Sequence, residues 1–339
     1  MLEDIKPVYF TRLGKAFLGD SLDLLDRLDS GSINLVITSP PFALQRKKEY
    51  GNEPQDEYVD WLTRFATKVM RVLKENGSFV LDLGGAYEKG KPIRSLYNYR
   101  ILIRFCDEIS FRLAEEFFWF NPARLPSPIE WVNKKKIRVK DAVNTVWWFS
   151  KSDYPKANVQ NILVPYSERM KKLLKDANKY YSPRKRPSGH DISASFAKAN
   201  GGAIPPNLLE IPNTESNSKY LRYCKLLGTR GHPARFPTKL PDFFIRFLTE
   251  PGDIVLDIFA GSNATGEAAE ENQRQWVAFE NERRYLAESA FRFIRETDAE
   301  SVKSLYRRLM DSTSYNVEIG GTERQIALLE VAQGIQRRS

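Results

Sequence analysis

The 339-residue chain contains few cysteines and few histidines, two of each. Cys106 and Cys224 stand far apart, so neither a disulfide framework nor a zinc site is expected. No apolar run approaches the roughly 20 residues that a transmembrane helix requires. The start of the chain, Met1-Leu2-Glu3-Asp4, is acidic and lacks the apolar segment of a secretory signal. These absences predict a cytoplasmic protein that holds no metal.

The positive charge of the chain is concentrated in one stretch. The net charge is +9, and residues 151–230 contain 15 Lys/Arg against 6 Asp/Glu, so this stretch carries the whole excess. A solvated basic loop region would explain the composition. A surface for a polyanion explains it as well, because Lys and Arg displace counterions from a phosphate backbone. The charge favours nucleic acid as a partner.

Strand-like and helical segments alternate up to about residue 150 and again from residue 237. This alternation predicts a mostly parallel, twisted sheet with helices on both faces, a Rossmann-like α/β fold. The expected strands are 15–18, 34–37, 78–83, 117–120, 145–149, 253–257 and 275–280. The expected helices are 22–28, 58–73, 101–117, 241–248, 264–272 and 285–294.

The basic stretch interrupts this alternation. It is rich in Lys, Tyr, Asn, Ser, Pro and Gly, with turn clusters at 182–183, 186–189 and 201–202, which is typical of a recognition region rather than of a second core. We therefore divide the chain into a catalytic half (1–150), a basic recognition insert (151–230), a cofactor half (231–296) and a tail (297–339). The tail is predicted to be a peripheral helix and a mobile terminus without a site.

The strand at 34–37 ends in Thr38-Ser39-Pro40-Pro41-Phe42. Two prolines cannot continue a hydrogen-bond ladder, because proline has no backbone N–H. The chain is left as a rigid extended loop that carries a hydroxyl, backbone carbonyls and an aromatic ring. These groups suit a flat ring with an amino group, since oxygen atoms accept from the amine and the aromatic side chain stacks on the ring.

A second loop combines glycines with an acidic residue farther along the chain. The turn Asp257-Ile258-Phe259-Ala260-Gly261-Ser262-Asn263-Ala264-Thr265-Gly266 joins a predicted strand to a helix, and Glu280 ends the next strand. An acidic residue about 20 positions on typically binds ribose hydroxyls in nucleotide-binding folds. The pattern is not G-x-G-x-x-G, which disfavours a dehydrogenase. An ordinary tight turn is the alternative, but Glu280 favours a cofactor with an adenosyl ribose.

Several motifs together resemble the β-class DNA amino-methyltransferases, in particular their PvuII-type cytosine-N4 members. Ser39-Pro40-Pro41-Phe42 resembles the catalytic motif, and Asp257-x-Phe259-x-Gly261-Ser262 with Phe279-Glu280 resembles the cofactor motif. The order of catalytic motif, basic insert and cofactor motif is that of the β class. The resemblance runs from about 15 to 295 and includes further segments at 43–52, 125–131, 186–191 and 232–237. Ala260-Gly261-Ser262-Asn263 departs from the usual Phe-x-Gly-x-Gly, and the tail has no counterpart.

The resemblance implies methyl transfer from S-adenosyl-L-methionine to the exocyclic N4 of cytosine, flipped out of double-stranded DNA in a bacterial or archaeal cell. The recognition site would be similar to CAGCTG, and a companion restriction endonuclease would be the functional partner. The implied catalytic residues are Ser39, Pro40, Pro41, Phe42 and Asp82. The implied cofactor-binding residues are Asp20, Arg235, Phe236, Pro237, Asp257, Phe259, Gly261, Ser262, Asn263, Thr265 and Glu280. The implied DNA-binding residues are Arg46, Lys47, Lys48, Arg184, Lys185, Arg186 and His190.

Each assignment has a plainer alternative. Asp82, at the end of the strand expected beside 34–37, would accept a proton through Ser39, but it would equally cap a loop. Phe42 would stack on the flipped base or fill the core. Asp20 would accept from the adenine amine or cap a helix. The basic residues 46–48 would contact phosphate or form an exposed charge run.

Two other functions remain open at this point. Adenine-N6 methylation attacks at an amine too, although an Asp in place of Ser39 would favour it. A catalytically silent DNA-binding protein on the same fold is the second. Carbon-5 cytosine methylation is disfavoured, because its cysteine nucleophile follows a proline, whereas Phe105 and Tyr223 precede the two cysteines here.

Overall fold

A computed structural model describes residues 2, 4–43, 55, 57–176, 179, 187, 198–214, 218–235, 237–295 and 297–320. Within this part of the chain, ten strands form one mixed sheet with helices packed on both faces. The strands are β1 (Tyr9–Phe10), β2 (Gly14–Leu18), β3 (Ile33–Thr38), β4 (Leu73–Leu83), β5 (Arg112–Phe120), β6 (Val143–Ser150), β7 (Leu208–Glu210), β8 (Ile254–Asp257), β9 (Gln275–Glu280) and β10 (Val317–Glu318).

Most of the α-helices bury an apolar stripe, whereas the helix Glu168–Lys175 has no buried residue. In the second helix, the stripe recurs every three or four residues and includes Leu62, Phe65, Val69 and Val72, the spacing of one helix face. The helices are α1 (Ser21–Asp26), α2 (Tyr58–Val72), α3 (Tyr97–Asp107), α4 (Glu168–Lys175), α5 (Lys219–Leu226), α6 (Lys239–Leu248), α7 (Ala264–Glu271), α8 (Arg283–Ser289) and α9 (Ala299–Met310).

The strand order is β10-β1-β2-β9-β8-β3-β4-β6-β5-β7. The central strands β2, β9, β8, β3 and β4 run parallel to one another, and β6 is antiparallel to β4 and β5. After β3 the chain moves toward β4, whereas after β8 it moves toward β9. The strand order therefore reverses between β3 and β8, and in open α/β sheets ligands bind beyond the carboxyl ends of the strands at such a point.

The sheet separates two apolar clusters. Leu35 and Ile37 of β3 belong to the cluster on one face, and Val36 belongs to the cluster on the other face. All six residues of β3 are buried, as expected for a central parallel strand covered on both sides. The strand has no solvent-exposed face, so its side chains become accessible only where it ends.

The structure corrects the expected helix at 101–117. The helix α3 covers Tyr97–Asp107, and the chain from Arg112 to Phe120 is strand β5. Ser110 between them has a positive φ of 69°, a conformation that an L-residue cannot repeat in a helix. Phe117 and Trp119 of β5 are buried in alternation, the period of a strand. The other strands and helices predicted in the catalytic and cofactor halves are present, with ends shifted by a few residues.

The tail and the insert contribute more to the fold than the sequence predicted. In the tail, α9 buries Val302 and Leu309, and β10 pairs with β1 at the sheet edge. The helix predicted in the tail is present as α9, and the tail also supplies the edge strand β10, which was not predicted. In the insert, β7 pairs with β5, and α4 and α5 are regular helices. The division into four regions remains a prediction.

No helix in the described ranges has both the length and the apolar character that crossing a membrane requires. Among the same residues, no group of three or more His, Cys, Asp or Glu side chains is arranged to hold a metal ion.

Candidate active site

The carboxyl ends of β3 and β8 lie side by side, and a cavity of about 330 Å³ opens beyond them. The Thr38 hydroxyl donates to Asp257 Oδ1 at 2.6 Å and ties the two strand ends together. The cavity is lined by residues from both predicted motifs, which are more than 200 positions apart in the chain. These lining residues include Ser39, Pro40, Pro41, Phe42, Phe259, Gly261, Ser262 and Glu280.

Neighbouring side chains hold the Ser-Pro-Pro-Phe loop in place. The last ladder pair of β3 with β4 is Thr38 with Leu81, so the loop begins where the pairing ends. The Tyr58 hydroxyl donates to the Pro41 carbonyl at 2.6 Å. The Phe42 ring lies against Gly84, where an added Cβ would stand 2.5 Å from a ring carbon. Phe42 lines the cavity. Its ring leaves no space for a side chain at residue 84.

Ser39 is the first member of a hydrogen-bonded chain of side chains. Its hydroxyl donates to Asp82 Oδ2 at 3.0 Å. Asn144 Nδ2 donates to Asp82 Oδ1 at 3.1 Å, and Arg124 Nη1 donates to Asn144 Oδ1 at 3.3 Å. The Asp82 carboxylate therefore joins the loop after β3 to β6. The bond to Ser39 fits both the loop cap and the catalytic role, and the catalytic role stays a prediction.

Burial controls the ionisation of Asp82. The side chain is 3% exposed, and loss of solvent raises its pKa to about 6. The hydrogen bonds from Ser39 and Asn144 and the positive charge of Arg124 oppose this shift. A carboxylate with a pKa near 6 is mostly ionised at neutral pH and remains basic enough to take up a proton.

The opposite wall of the cavity contains a second buried carboxylate. Glu280 Oε2 accepts from the Gly261 backbone N–H at 2.8 Å, and Oε1 accepts from the Glu282 N–H at 3.0 Å. Burial raises the pKa of Glu280 to about 7, while the backbone donors lower it. Gly261 has a φ of +50°, and an added Cβ would lie 3.1 Å from the His232 ring. This turn therefore requires glycine for both its conformation and its packing.

Some predicted cofactor residues point away from the cavity. Asp257 accepts from Thr38 and Thr265, and all three side chains are buried. Asn263 caps helix α7 by accepting from the Gly266 N–H at 2.9 Å, and its amide donates to Tyr9. The structure does not bring Asp257, Asn263 or Thr265 to the cavity wall. Their polar groups are used inside the fold, where they shape the turn.

The remaining predicted cofactor residues differ in position. Asp20 lines the cavity and also caps α1, where its Oδ1 accepts from the Leu22 N–H at 2.7 Å. Arg235 lines the cavity and donates to the His232 carbonyl at 2.5 Å. Pro237 is buried and is not part of the wall. Phe236 lies outside the described residues.

His232 contributes to the cavity wall as a neutral ring. Its Nδ1 lies 2.9 Å from the Ala234 carbonyl, and its backbone N–H donates to the Tyr220 hydroxyl at 2.8 Å. Burial lowers the pKa of His232 to about 4, so the imidazole is uncharged at neutral pH. These contacts favour a role in shaping the loop over a role as general base.

The sequence reasoning missed several residues of the site. Trp61 and Phe65 of α2 pack on Phe259, with ring centroids 5.6 Å and 5.0 Å away, and form an aromatic wall. Their helical spacing predicted burial but not a ligand. Asn144 is a buried amide within a strand, and such a polar residue in an apolar pattern was the available signal.

Arg292 was missed entirely. This buried guanidinium donates to the Ser262 carbonyl at 2.6 Å, to Ser262 Oγ at 3.1 Å and to Glu267 at 2.5 Å. It also lies 5.0 Å from the centroid of the Tyr220 ring. Arg292 thus supports the turn at Gly261 and Ser262 from the interior of the protein. No pattern in the sequence indicates that these residues pair.

The predicted DNA-binding residues lie outside the described residues. They are Arg46, Lys47, Lys48, Arg184, Lys185, Arg186 and His190. Their assignments stay predictions.

The cavity fits S-adenosylmethionine. Glu280, a buried carboxylate at the end of β9, suits ribose hydroxyls, which donate hydrogen bonds to such an acceptor. Phe259, Trp61 and Phe65 supply an aromatic wall for a purine, and the turn at Gly261 allows close approach of backbone. The donors and acceptors that a nucleoside requires are therefore present.

Comparisons with known proteins agree with this site. The sequence model of the DNA methylase family matches residues 33–291, which include the Ser-Pro-Pro-Phe loop and the turn at Gly261. The chain therefore belongs to the DNA methylase family.

One relative is the type II methyltransferase M.PvuII from Proteus hauseri, which is 60% identical over 92% of this chain and 93% of its own length. The solved structure of the PvuII DNA methyltransferase, described as cytosine-N4-specific, superposes with a TM-score of 0.77 at 51% identity, over 94% of this chain and 99% of that one.

More distant proteins share the fold. A putative DNA modification methylase from Thermus thermophilus, solved in complex with S-adenosyl-L-methionine, has a TM-score of 0.51 at 19% identity, over 92% of this chain and 100% of that one. The type II methyltransferase M.BamHI from Bacillus amyloliquefaciens is 26% identical over 82% of this chain and 57% of its own length.

Proposed function

We propose that the protein methylates the exocyclic N4 of cytosine in double-stranded DNA, with S-adenosyl-L-methionine as the methyl donor. The observation that carries the proposal is the Ser39 hydroxyl, bonded to a buried carboxylate at the cavity wall. The similarity to M.PvuII over nearly the whole chain supports the same activity. It also supports assignment to a restriction–modification system, with a companion endonuclease as functional partner.

The cofactor half of the cavity binds and orients the methyl donor. Glu280 accepts from ribose hydroxyls, Asp20 from the adenine amine, and Phe259 packs on the purine. Arg235 and the turn at Gly261 and Ser262 surround the methionine end. When bound, S-adenosylmethionine supplies an electrophilic methyl group on its sulfonium.

The catalytic half binds the target amine. The cytosine amino group is a weak nucleophile, because its lone pair is delocalised into the ring. The Ser39 hydroxyl donates its hydrogen bond to Asp82. The lone pairs of Ser39 Oγ therefore remain available to accept a hydrogen bond from one N–H of the amine. The Pro40 carbonyl accepts the other. These two bonds hold N4 in a more tetrahedral geometry and concentrate its lone pair.

Asp82 takes up the proton that N4 must lose. One N4 proton passes to Ser39 Oγ as the Ser39 proton passes to Asp82 Oδ2, and Asp82 later releases it to water. The exchange leaves Ser39 neutral and the methylated amine uncharged. Phe42 stacks on the flipped base, and Pro41 keeps the loop rigid. Burial of Asp82 keeps its basicity close to the working pH.

Basic residues from two stretches of the chain hold the DNA. Arg46, Lys47 and Lys48 follow the catalytic loop and contact phosphates, while Arg184, Lys185, Arg186 and His190 of the insert read the duplex in the major groove. The recognition sequence is CAGCTG, by likeness of the insert to the PvuII type. The cellular location of the protein follows its DNA substrate, in the cytoplasm.

Tritium-methyl transfer to a defined set of duplexes tests the proposal. We expect incorporation into a CAGCTG duplex, N4-methylcytosine as the product in nucleoside mass spectrometry, and no incorporation into a duplex with the site scrambled. Ser39→Ala is the matched loss-of-function control.

Three outcomes would contradict the proposal. N6-methyladenine as the product would assign the protein to the adenine branch of the family. Cofactor binding without transfer to any DNA would identify a catalytically silent DNA-binding protein. Transfer to cytosine in a different sequence would leave the chemistry intact and overturn only the assigned site.

A further inference from the structure

The loop between β5 and β6, residues Asn121–Ala142, lies at the same edge of the sheet as the catalytic residues. The loop begins and ends at the pair Phe120 and Val143. Along β6, Val143 lies two residues from Thr145, which pairs with Leu83, the residue after Asp82. Arg124 of the loop is bonded to Asn144, the residue that donates to Asp82. The loop therefore begins beside the target-base side of the cavity.

This β5–β6 loop is basic. It contains six Lys/Arg and two Asp/Glu, namely Arg124, Lys134, Lys135, Lys136, Arg138, Lys140, Glu130 and Asp141. Asp141 is already engaged by both Nη atoms of Arg94, at 2.6 Å and 2.8 Å. Glu130 lies 3.2 Å from Lys134 and 3.8 Å from Lys135. The acidic residues thus leave a positive excess on the rest of the loop.

The loop combines this charge with exposed apolar side chains. Residues 133–140 are all exposed, and Val139 is 85% and Leu125 80% exposed. Contact with a ligand would remove these apolar side chains from water, which favours binding. Ile137-Arg138-Val139-Lys140 alternates apolar and basic residues. This combination suits the DNA backbone, where Lys and Arg contact phosphates and apolar groups contact sugars.

Local bonds hold the loop in shape. Arg138 Nε donates to the Pro92 carbonyl at 2.8 Å, which fixes the loop to the segment after β4. Lys140 Nζ donates to the Pro122 and Arg124 carbonyls at 3.2 Å and 3.3 Å. The Ile137 N–H donates to the Trp131 carbonyl at 2.9 Å. A preordered basic surface loses less conformational entropy when a ligand binds.

We propose that the β5–β6 loop is a second DNA-contacting surface, which grips the duplex phosphates beside the target cytosine from the side opposite the cofactor half. The proposal rests on the proposed function, because it needs DNA as the substrate. It differs from the prediction for the basic insert, since none of the residues of this loop belongs to 151–230. Its contacts are to the backbone, so they strengthen binding to any sequence equally.

The salt dependence of DNA binding tests the charged part of the surface. The variant is Lys134→Gln/Lys135→Gln/Lys136→Gln, and the matched control is Arg12→Gln/Lys15→Gln/Arg112→Gln, three cations near the amino ends of the strands. Fluorescence anisotropy from 50 to 200 mM salt, on specific and scrambled duplexes, gives the slope of log K against log salt. Thermal melting and cofactor affinity confirm that both variants are folded.

We expect the slope of the loop variant to become shallower by about 0.9 for each lost phosphate contact. At 0.15 M salt this corresponds to about a fivefold loss of affinity per contact, equal for the two duplexes. The control should match the wild type. An unchanged slope in the loop variant, or a loss confined to the specific duplex, would overturn the proposal.

A second variant, Leu125→Ser/Val139→Ser, tests the apolar part. We expect weaker DNA binding with an unchanged salt slope, because no charge is removed, and an unchanged mass in sedimentation. A change in mass with unaltered DNA affinity would assign this face to a second copy of the chain and overturn the proposal. Methyl transfer by the wild type is measured in parallel, so failure of the proposed function is distinguished from failure of the loop assignment.

Discussion

Two buried carboxylates lie at the site, Asp82 behind Ser39 of the catalytic wall and Glu280 in the cofactor wall, and their partners differ in kind. Asp82 is bonded to a hydroxyl and a side-chain amide, Ser39 and Asn144. Glu280 is bonded to backbone N–H groups of Gly261 and Glu282. A hydroxyl can pass on a proton, whereas a backbone amide at this pH only donates a hydrogen bond. The partners of Asp82 therefore suit the proposed proton transfer, and those of Glu280 suit a fixed hydrogen-bond acceptor.

We expect the largest loss of methyl-transfer rate when the proposed proton acceptor, Asp82, is replaced. In Asp82→Asn we expect the single-turnover methyl-transfer rate to fall by about 10²- to 10⁴-fold, the usual contribution of general base catalysis. Cofactor affinity, measured by calorimetry, should stay at the wild-type value because Asp82 is bonded to Ser39 and Asn144 and to no residue of the cofactor wall. Asp107→Asn, an exposed aspartate in α3, is the control. A wild-type rate in Asp82→Asn would remove its catalytic role.

The cofactor wall is supported by a buried cation, Arg292, whereas Asp82 behind the catalytic wall is bonded to a buried amide, Asn144. Arg292→Met removes the cation that pairs with Glu267 and the donor that bonds the Ser262 oxygens. Loss of one member of a fully buried ion pair costs about 3–5 kcal/mol, and we expect a smaller cost here because Glu267 is 22% exposed and still accepts from Thr238. We expect a corresponding drop in the urea midpoint and weaker cofactor binding. Lys303→Ala, which removes an exposed pair with Glu300, should leave the midpoint nearly unchanged. Equal midpoints for the two variants would contradict the bracing role of Arg292.

Replacement of Glu280 by glutamine should separate binding from chemistry. Hydrogen bonds to a charged acceptor contribute about 1.5–3 kcal/mol, so we expect at least about tenfold weaker cofactor binding. The rate at saturating cofactor should remain near that of the wild type. Glu282→Gln, whose side chain is exposed, is the control.

The pH dependence of cofactor affinity is a second test of the role of Glu280. The pKa of Glu280 is about 7, and ribose hydroxyls donate to the ionised form. Cofactor affinity of the wild type should therefore rise with pH up to about 7 and then level off. In Glu280→Gln this rise should be absent, and its persistence would assign the titration to another group.

The smallest expected effect is a shift in the pH profile of the reaction. The ionised form of Asp82 accepts the proton, so the rate should rise with pH through about 6. Tyr58 and Tyr97 face Asp82 with raised pKa values and stay neutral in this range, and Arg124 is the nearby cation. Asn144→Ala removes a bond that lowers the pKa of Asp82, so the profile should move to higher pH. A profile that does not move would show that Asn144 has no influence on this proton.

Local patterns in the sequence were sufficient for most of the fold and for the two motifs. The buried run 34–37 and the two prolines after it predicted a strand that ends at a ligand, because proline stops the ladder wherever it occurs. The helix predicted at 101–117 ends ten residues earlier, at Asp107. Apolar residues such as Phe111 and Phe117 continue beyond that point, so the apolar pattern did not show the end. The helix cannot continue through Ser110, which has a left-handed backbone conformation. The edge strand β10 was not predicted because two residues carry too little pattern.

Sequence alone determined which residues are equipped for the chemistry: Ser39 in its rigid loop, Glu280 at a strand end and Gly261 in the turn between strand and helix. These depend on neighbours within a few positions. Only the tertiary structure decided how they are supported. Asn144 reaches Asp82 from 62 positions away, and Arg292 reaches Ser262 from 30. Such contacts form when distant strands pair and helices pack against the sheet, and no local spacing encodes them.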